Sequence, residues 1–437
     1  MILLCFPKQK FSAMKVFKFG GASINNFERI QNLAKIVNSY PGEKILIVIS
    51  AMGKMTNALE KVAEEFYSGK TEQALLLFEQ IRQHHLTILK YCITQQWEQA
   101  NTELQNFFTE VQWLLHDKAV KDYNYYYDQI VCAGELLSST ILSFYLNEEQ
   151  ILNKWIDVRD VLRTDDTFRD AMVDWEVTGK NIKEKILPLF NETDLILTQG
   201  FIGSTDQNES TTLGREGSDY TAAVFANILN AESVTIWKDV EGVMNADPKD
   251  FTDAITIAHL SYKEVIEMAY YGAQVIHPKT IKPLQNKSIP LYVKCFVDKE
   301  LPGTVITGRH TQYLPPIVVY KRNQVLLTLE SKDFSFVEGK PVNILYEILN
   351  ATKIKPNLTQ NAAISLFVCV DDVPGKIEEI AIQCAEIFDV QLEKNLTLLT
   401  IRHYTPEFIQ KLTGNKIIVL EQKTGDTVQM LLRELNQ

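Results

Sequence analysis

Basic residues are in deficit: 44 Lys and Arg stand against 55 Asp and Glu, a formal net charge of −11. A protein that works by neutralising nucleic-acid phosphates needs the opposite balance, so that class is excluded; small anions stay open, because a local cluster of lysines binds them whatever the global charge. Cysteine is scarce and scattered. Cys5, Cys92, Cys132, Cys295, Cys369 and Cys384 form no CxxC pair and have no histidine at zinc-like spacing, which argues against a disulfide framework and fits a reducing cytoplasm. No apolar run reads as the roughly 20 residues of a membrane span. The opening MILLCFPKQKFSAMKVFKF has no basic region before its apolar residues and no small-residue cleavage site after them, so it is not read as a secretory signal. Met14 is an alternative start of translation, which would leave residues 1–13 as a leader. Two phosphate signatures are missing as well, GxxxxGK[ST] and GxGxxG.

What remains is an ordinary globular composition, 46% hydrophobic and 23% charged, in a chain long enough for two or three domains. The strand KVFKF, Lys15 to Phe19, runs into Gly20 and Gly21, then the helical pattern NNFERIQNLAKIVN, with Asn25 as its expected cap, then the strand KILIVISA. That is a βαβ unit whose continuously apolar second strand expects cover on both faces. Residues 58 to about 127 read as a helical subdomain, a lid or a packing element, almost free of Gly and Pro. Further strands are expected near 153–158, at DLILTQGFIG, at SVTIWKDV and at IPLYVKCF, with helices over 218–231 and at SYKEVIEMAYYG. The plan is a three-layer α/β/α domain over 14–310. From 311 to 437 two short β-α-β-β units suit a pair of small ferredoxin-like modules, of the kind that sense small molecules or join subunits.

Candidate chemistry gathers at three strand ends. Lys18 precedes Gly20 and Gly21, and open α/β sheets bind ligands at the carboxyl ends of their strands, where glycines let backbone N–H groups approach phosphate oxygens. A solvated edge lysine beside turn glycines is the bland alternative. In TTLGREGSDYTAA, Thr211 to Ala223, Gly214 and Gly217 flank Arg215, whose planar fork suits a carboxylate. Ser218 is placed to cap the following helix, and Asp219 is either a capping charge or part of a site. In WKDVEGVMNADPK, Lys238, Asp239 and Lys249 either flank a nucleotide or form a polar turn. His84, His85 and His277 read as satisfied surface histidines. No Ser/His/Asp set and no metal cage emerges. This inventory suits a nucleophile that is already anionic: a carboxylate of pKa about 3.9 needs no base to attack phosphorus, only charge neutralisation and in-line positioning.

FKFGGAS, VISAMGKMTN, CAGE, TQGFIGS, TTLGREGSDYTAA, KDVEGVMNADPK and YYGAQVIHP occur in this order between Lys15 and about Phe296. Together they resemble aspartate kinase of the amino-acid kinase superfamily. The resemblance implies ATP-dependent phosphorylation of the β-carboxylate of L-aspartate, the first step towards lysine, threonine, methionine and, in bacteria, diaminopimelate. It implies that Lys18 stabilises the transferring phosphoryl group, with Gly20 and Gly21 in close backbone contact, and that Asp219 organises that lysine. Arg215 would clamp the substrate carboxylate, Glu135 would take its ammonium, and Ser50, Thr56 and Ser218 would complete the aspartate site. Lys238, Asp239, Met244 and Lys249 would line the ATP site, with Mg2+ held mainly through nucleotide phosphates and no protein metal ligand. The C-terminal region resembles, more faintly, the family's paired ACT modules, implying lysine or threonine as feedback effector and a homodimer through those modules.

Departures from the family pattern are Ala22 in place of a threonine, Met244 in place of a tyrosine, Lys249 in place of an arginine and Gln274 in place of a lysine. They touch the expected nucleotide side and leave Lys18, Glu135, Arg215 and Asp219 intact. With Gln437 as the last residue, a fused homoserine dehydrogenase is not expected. The rival readings are another kinase of the superfamily, acting on glutamate, acetylglutamate, carbamate or UMP, and a silent amino-acid sensor on the same fold.

Overall fold

A computed structural model describes residues 14–311 and 313–435; the expected leader, residues 1–13, lies outside them. The chain divides into two compact units. One is built from the residues up to Val243 with Thr256–Ile266 and Val275–His310, the other from Met244–Ile255, Glu267–Gln274 and the chain from Thr311 on.

In the first unit the order is β1 (Met14–Phe19), α1 (Phe27–Asn38), β2 (Lys44–Ile49), α2 (Met55–Tyr67), α3 (Thr71–Cys92), α4 (Trp97–His116), α5 (Tyr123–Val131), α6 (Ala133–Glu148), β3 (Lys154–Trp155), α7 (Trp175–Asn181), β4 (Leu195–Gln199), β5 (Ile202–Ser204), β6 (Ser210–Thr212), α8 (Gly217–Leu229) and β7 (Ser233–Lys238). Then follow β8 (His259–Ser261), α9 (Tyr262–Tyr270), whose residues from Glu267 on group with the second unit, α10 (Pro278–Asn286), β9 (Leu291–Cys295) and β10 (Thr304–Thr307). Eight strands form one sheet in the order β3-β4-β2-β1-β7-β9-β10-β8. Pairing is parallel from β3 through β9, so the carboxyl ends of β4, β2, β1 and β7 share one edge. Alternate residues Phe17, Phe19, Ile45, Ile47 and Ile49 join one core with α1 to α6. Val16, Leu46 and Val48 between them are equally buried on the other face, where α8 packs. This is the expected three-layer arrangement, and the apolar faces of α2, α3 and α4 belong to the main core.

Two local expectations are corrected. The cap of α1 is Asn26, whose side chain accepts from Arg29 N at 2.9 Å, one residue after Asn25. His85 is fully buried, on the stripe of α3 that holds Ala74, Phe78, Ile81, Ile88 and Leu89, and its Nδ1 meets the Ile81 carbonyl at 2.8 Å. Within Tyr123–Glu148, a 26-residue helical stretch counted through the join of α5 and α6, one 18-residue segment reaches a mean hydropathy of 1.3, long and apolar enough to cross a membrane. Of that segment 89% is buried inside the protein, and a helix packed on all sides needs no polar stripe.

The second unit carries β11 (Ile317–Ser331), α11 (Lys340–Ala351), β12 (Pro356–Asn361), β13 (Ser365–Asp371), α12 (Lys376–Cys384), β14 (Phe388–Arg402), α13 (Pro406–Thr413), β15 (Lys416–Lys423) and β16 (Thr427–Glu434). They form a single antiparallel six-stranded sheet, β12-β13-β11-β14-β16-β15. The long central strands β11 and β14 change partners along their length. Gln324–Glu330 pairs with β13, while β16 pairs only with Thr397–Arg402 of β14, and register shifts mark the seam near Gln324. The two small units expected in series are therefore one continuous sheet, because two strands run through both halves.

Candidate active site

Lys18 is the last but one residue of β1, and its Nζ lies 2.7 Å from Asp219 Oδ1. Asp219 sits in the first turn of α8 and also faces Lys238 Nζ at 3.9 Å, at the end of β7. Burial would raise the Asp219 carboxyl, but the charges of Lys18 and Lys238 and the Lys18 hydrogen bond together hold it below its ordinary value. It is therefore a fixed negative charge that aims the Lys18 ammonium. Lys238 Nζ also donates to the Val275 carbonyl at 2.8 Å.

The loops after β1 and β2 meet with no room between them. A side chain at Gly21 would place Cβ 2.3 Å from Ala51 O, and Gly53 N donates to Gly21 O at 2.9 Å. Next to this crossing, Glu135 on α6 is buried. One carboxylate oxygen accepts from Ala51 N at 3.3 Å and the other is buried without a partner. Burial pushes this carboxyl up to about 8, against the Ala51 N–H, its own backbone and the Lys18 charge. A buried, half-satisfied carboxyl of this kind is costly unless a ligand completes it.

Helix α8 starts without a side-chain cap. Its N-cap is Glu216, in the left-handed region at φ 55°, and Ser218 lies inside the helix against Gly200, not at the cap. The expected serine cap is thus corrected; the carboxylate of Glu216 instead accepts from His277 N at 2.9 Å. His277 caps α10 by accepting from Lys279 N at 3.2 Å. Arg215 is exposed and makes no hydrogen bond or ion pair among the described residues.

These groups share one cleft of about 500 Å3, bordered by Lys18, Gly21, Ser50, Thr56, Glu135, Arg215, Ser218, Asp219 and Lys238. Tyr127, Arg169, Phe201 and Glu216 also border it and were not read from the sequence. Arg169 and Phe201 have φ of 72° and 68°, a backbone state that leaves no mark on a non-glycine sequence. Gly20, Asp239, Met244 and Lys249 are not in that set. Arg29 Nη1 holds both Asp239 oxygens, at 2.7 and 2.8 Å, and donates to Ala22 O at 2.9 Å. Met244 and Lys249 belong to the second compact unit, where Lys249 N donates to Asp247 Oδ1 at 2.9 Å.

The cleft thus joins ammonium groups at strand ends and the start of α8 to a free guanidinium and an unfilled buried carboxyl. It offers anion neutralisation at one end and recognition of a zwitterion at the other.

Residues 13–295 match the model of the amino acid kinase family. The chain is similar to the lysine-sensitive aspartokinase 3 of Escherichia coli, 31% identical over 400 residues that cover 89% of this chain and 87% of that protein. It is 31% identical to a chloroplastic bifunctional aspartokinase/homoserine dehydrogenase 2 of Arabidopsis thaliana over 83% of this chain, a match that spans 38% of that longer protein. The crystal structure of E. coli aspartokinase III with lysine and aspartate superposes with a TM-score of 0.80 at 28% identity, covering 96% of this chain and 95% of that one.

Proposed function

The chain belongs to the aspartate kinases of the amino acid kinase family, and from that premise we propose how its cleft transfers the γ-phosphoryl group of ATP to the β-carboxylate of L-aspartate. The product is 4-phospho-L-aspartate, which opens the route to lysine and threonine. The observation that carries the reading is the convergence of Lys18, Glu135, Arg215 and Asp219 on one cleft. Glu135 completes its missing contact with the substrate ammonium, and Arg215 takes the α-carboxylate in its fork. Ser50, Thr56 and Ser218 supply hydroxyls along the substrate.

The β-carboxylate is ionised at neutral pH and needs no base. Lys18, aimed by Asp219, neutralises charge on the transferring phosphoryl oxygens, and the dipole at the start of α8 adds positive potential at the same end. Gly20 and Gly21 let the β1 loop approach the phosphates, and Lys238 stands beside them. Asp239, held by Arg29, borders the nucleotide; for Met244 and Lys249 the support is the GVMNADPK motif alone. Mg2+ would be carried mainly on the phosphate oxygens of the nucleotide, where it would supply charge neutralisation.

The catalytic domain is drawn from residues 14–310 and the regulatory region from 311–437. Beside a cluster of Leu326, Cys369, Leu398 and Leu431 that spans both halves, two further clusters, one in each half, support a pair of ACT modules within the continuous sheet. One holds Val325, Leu327, Leu345, Val368 and Ile380, the other Val318, Leu399, Ile401, Val428 and Met430. Lysine or threonine is the proposed effector, a homodimer through these modules the proposed assembly, and the cytoplasm the proposed site of action.

The test is turnover of ATP with a panel of acidic amino acids, with hydroxylamine trapping the acyl phosphate. Hydroxamate is expected with aspartate and not with glutamate or acetylglutamate. ADP release without hydroxamate overturns the reading.

A further inference from the structure

Arg169 stands in a segment between β3 and α7, and its backbone is left-handed, φ 72°. Only glycine occupies that region freely, and a strained residue persists where its surroundings over-determine it. The surroundings are a buried carboxylate. Asp128, fully buried on α5, accepts from Arg169 N at 3.0 Å, from Thr212 N at 2.8 Å and from Thr212 Oγ1 at 2.7 Å. Ala171 N adds a bond to Thr212 O at 2.9 Å. Asp128 therefore locks the Arg169 segment to the strand that leads into Gly214 and Arg215. The two segments touch: a Cβ on Gly214 would lie 2.6 Å from Asp170 Oδ1 and 3.3 Å from Arg169 O.

Glycine would satisfy this backbone without strain, so the arginine side chain needs its own explanation. Its guanidinium lies 4.2 Å over the Tyr127 ring, beside the cleft that Tyr127, Glu135 and Arg215 also border. The anion it holds is Glu60, through one bond of 3.1 Å between side chains that are 40% and 33% exposed. An ion pair that open to water is weak and easily exchanged. Two arginines thus reach one cleft from abutting segments, one without a partner among the described residues and one on a replaceable carboxylate.

We propose that Arg169 is a second substrate-binding arginine, which leaves Glu60 and joins Arg215 on the α-carboxylate of the amino-acid substrate. The proposal rests on the reading of the cleft as an aspartate site. It makes Arg169 a specificity residue, favouring substrates that carry a negative charge beside the ammonium.

The test compares the full chain with its R169G and R169K variants, using L-aspartate and L-aspartate α-amide. The amide keeps the β-carboxylate and ammonium but lacks the α-carboxylate charge, and it is measured as substrate or as competitive inhibitor. Loss of a charge-assisted hydrogen bond predicts that R169G raises the KM for aspartate about tenfold. The constant for the amide and the KM for ATP should stay within about twofold, and R169K should recover part of the loss because it keeps the charge without the fork. An unchanged KM for aspartate, or an equal rise for aspartate and amide, overturns the assignment of Arg169 alone. Failure of the parent protein to phosphorylate aspartate overturns the underlying reading as well.

Discussion

In the proposed aspartate site, Glu135 is where substrate recognition and folding pull against each other. Its carboxyl stands at about 8 because burial outweighs the Ala51 N–H and the Lys18 charge, so at neutral pH the free cleft holds it mostly protonated. A carboxyl raised above its ordinary 4.5 favours the folded state fully below that value, and the contribution is lost as pH rises towards 8. Recognition of an ammonium needs the ionised form. The KM for aspartate is therefore expected to fall several-fold between about pH 6.5 and 8.5. Glu135→Gln should abolish that dependence, raise the KM roughly 10- to 100-fold, and melt higher than the parent at pH 9. Steady-state kinetics and melting curves across pH check this, and an unchanged pH profile in the variant removes Glu135 from the ammonium site. Legibility also varied residue by residue. Lys18, Arg215 and Asp219 stand at strand ends and a helix start, positions that a pattern reveals. Glu135 looks like any acid on an apolar helix until the loop at Ala51 folds over it, and only a family motif marked it.

Helix α3 shows how an element decides the fate of a residue. The periodicity of its apolar positions carries His85 onto the buried stripe, where desolvation pulls its pKa down to about 4, against the Ile81 carbonyl. A histidine depressed from its ordinary 6.5 contributes its full stability above that value and loses it as pH falls towards 4. His85→Leu should reduce the stability lost between pH 7 and pH 5 by on the order of 1–2 kcal/mol, read from urea unfolding at each pH. Equal losses in parent and variant would show that the imidazole is not the acid-sensitive group. Strongly periodic elements such as α1, β2 and α8 were legible. Three C-terminal elements were not. β12 is polar and opens on Pro356, α13 buries no residue, and β16 places Thr427 and Gln429 inside the sheet. Gln429 reaches Thr400 Oγ1 at 3.3 Å, a partner supplied only by strand pairing.

At the scale of the whole molecule, the candidate cleft lies wholly in the first unit, and the second is a sheet with several buried clusters. A kinase that needed only its cleft would gain nothing catalytic from a second unit of this kind, which motivates the feedback prediction. Initial rates measured against lysine and threonine, singly and combined, are expected to fall with at least one of them. Rates that stay flat up to millimolar effector would reject regulation by either. A change from α/β alternation to short strands after 310 was visible in the sequence pattern. That segments 244–255 and 267–274 group with the later chain was not, because grouping depends on contacts between residues far apart in sequence.

Local chemistry and periodicity were determined by the sequence itself: the apolar strands, the amphipathic helices, the glycines at crossing loops, and an inventory of lysines and one arginine suited to an anionic nucleophile. These follow from short-range sterics and from the burial that each repeating pattern demands. Tertiary structure alone decided that Glu135 is buried beneath Ala51 with one oxygen unfilled, that Arg29 holds Asp239, and that Asp128 pins a strained Arg169 beside Arg215. Desolvation, left-handed strain and ion pairing all depend on which distant segments meet, and no stretch of sequence carries that by itself.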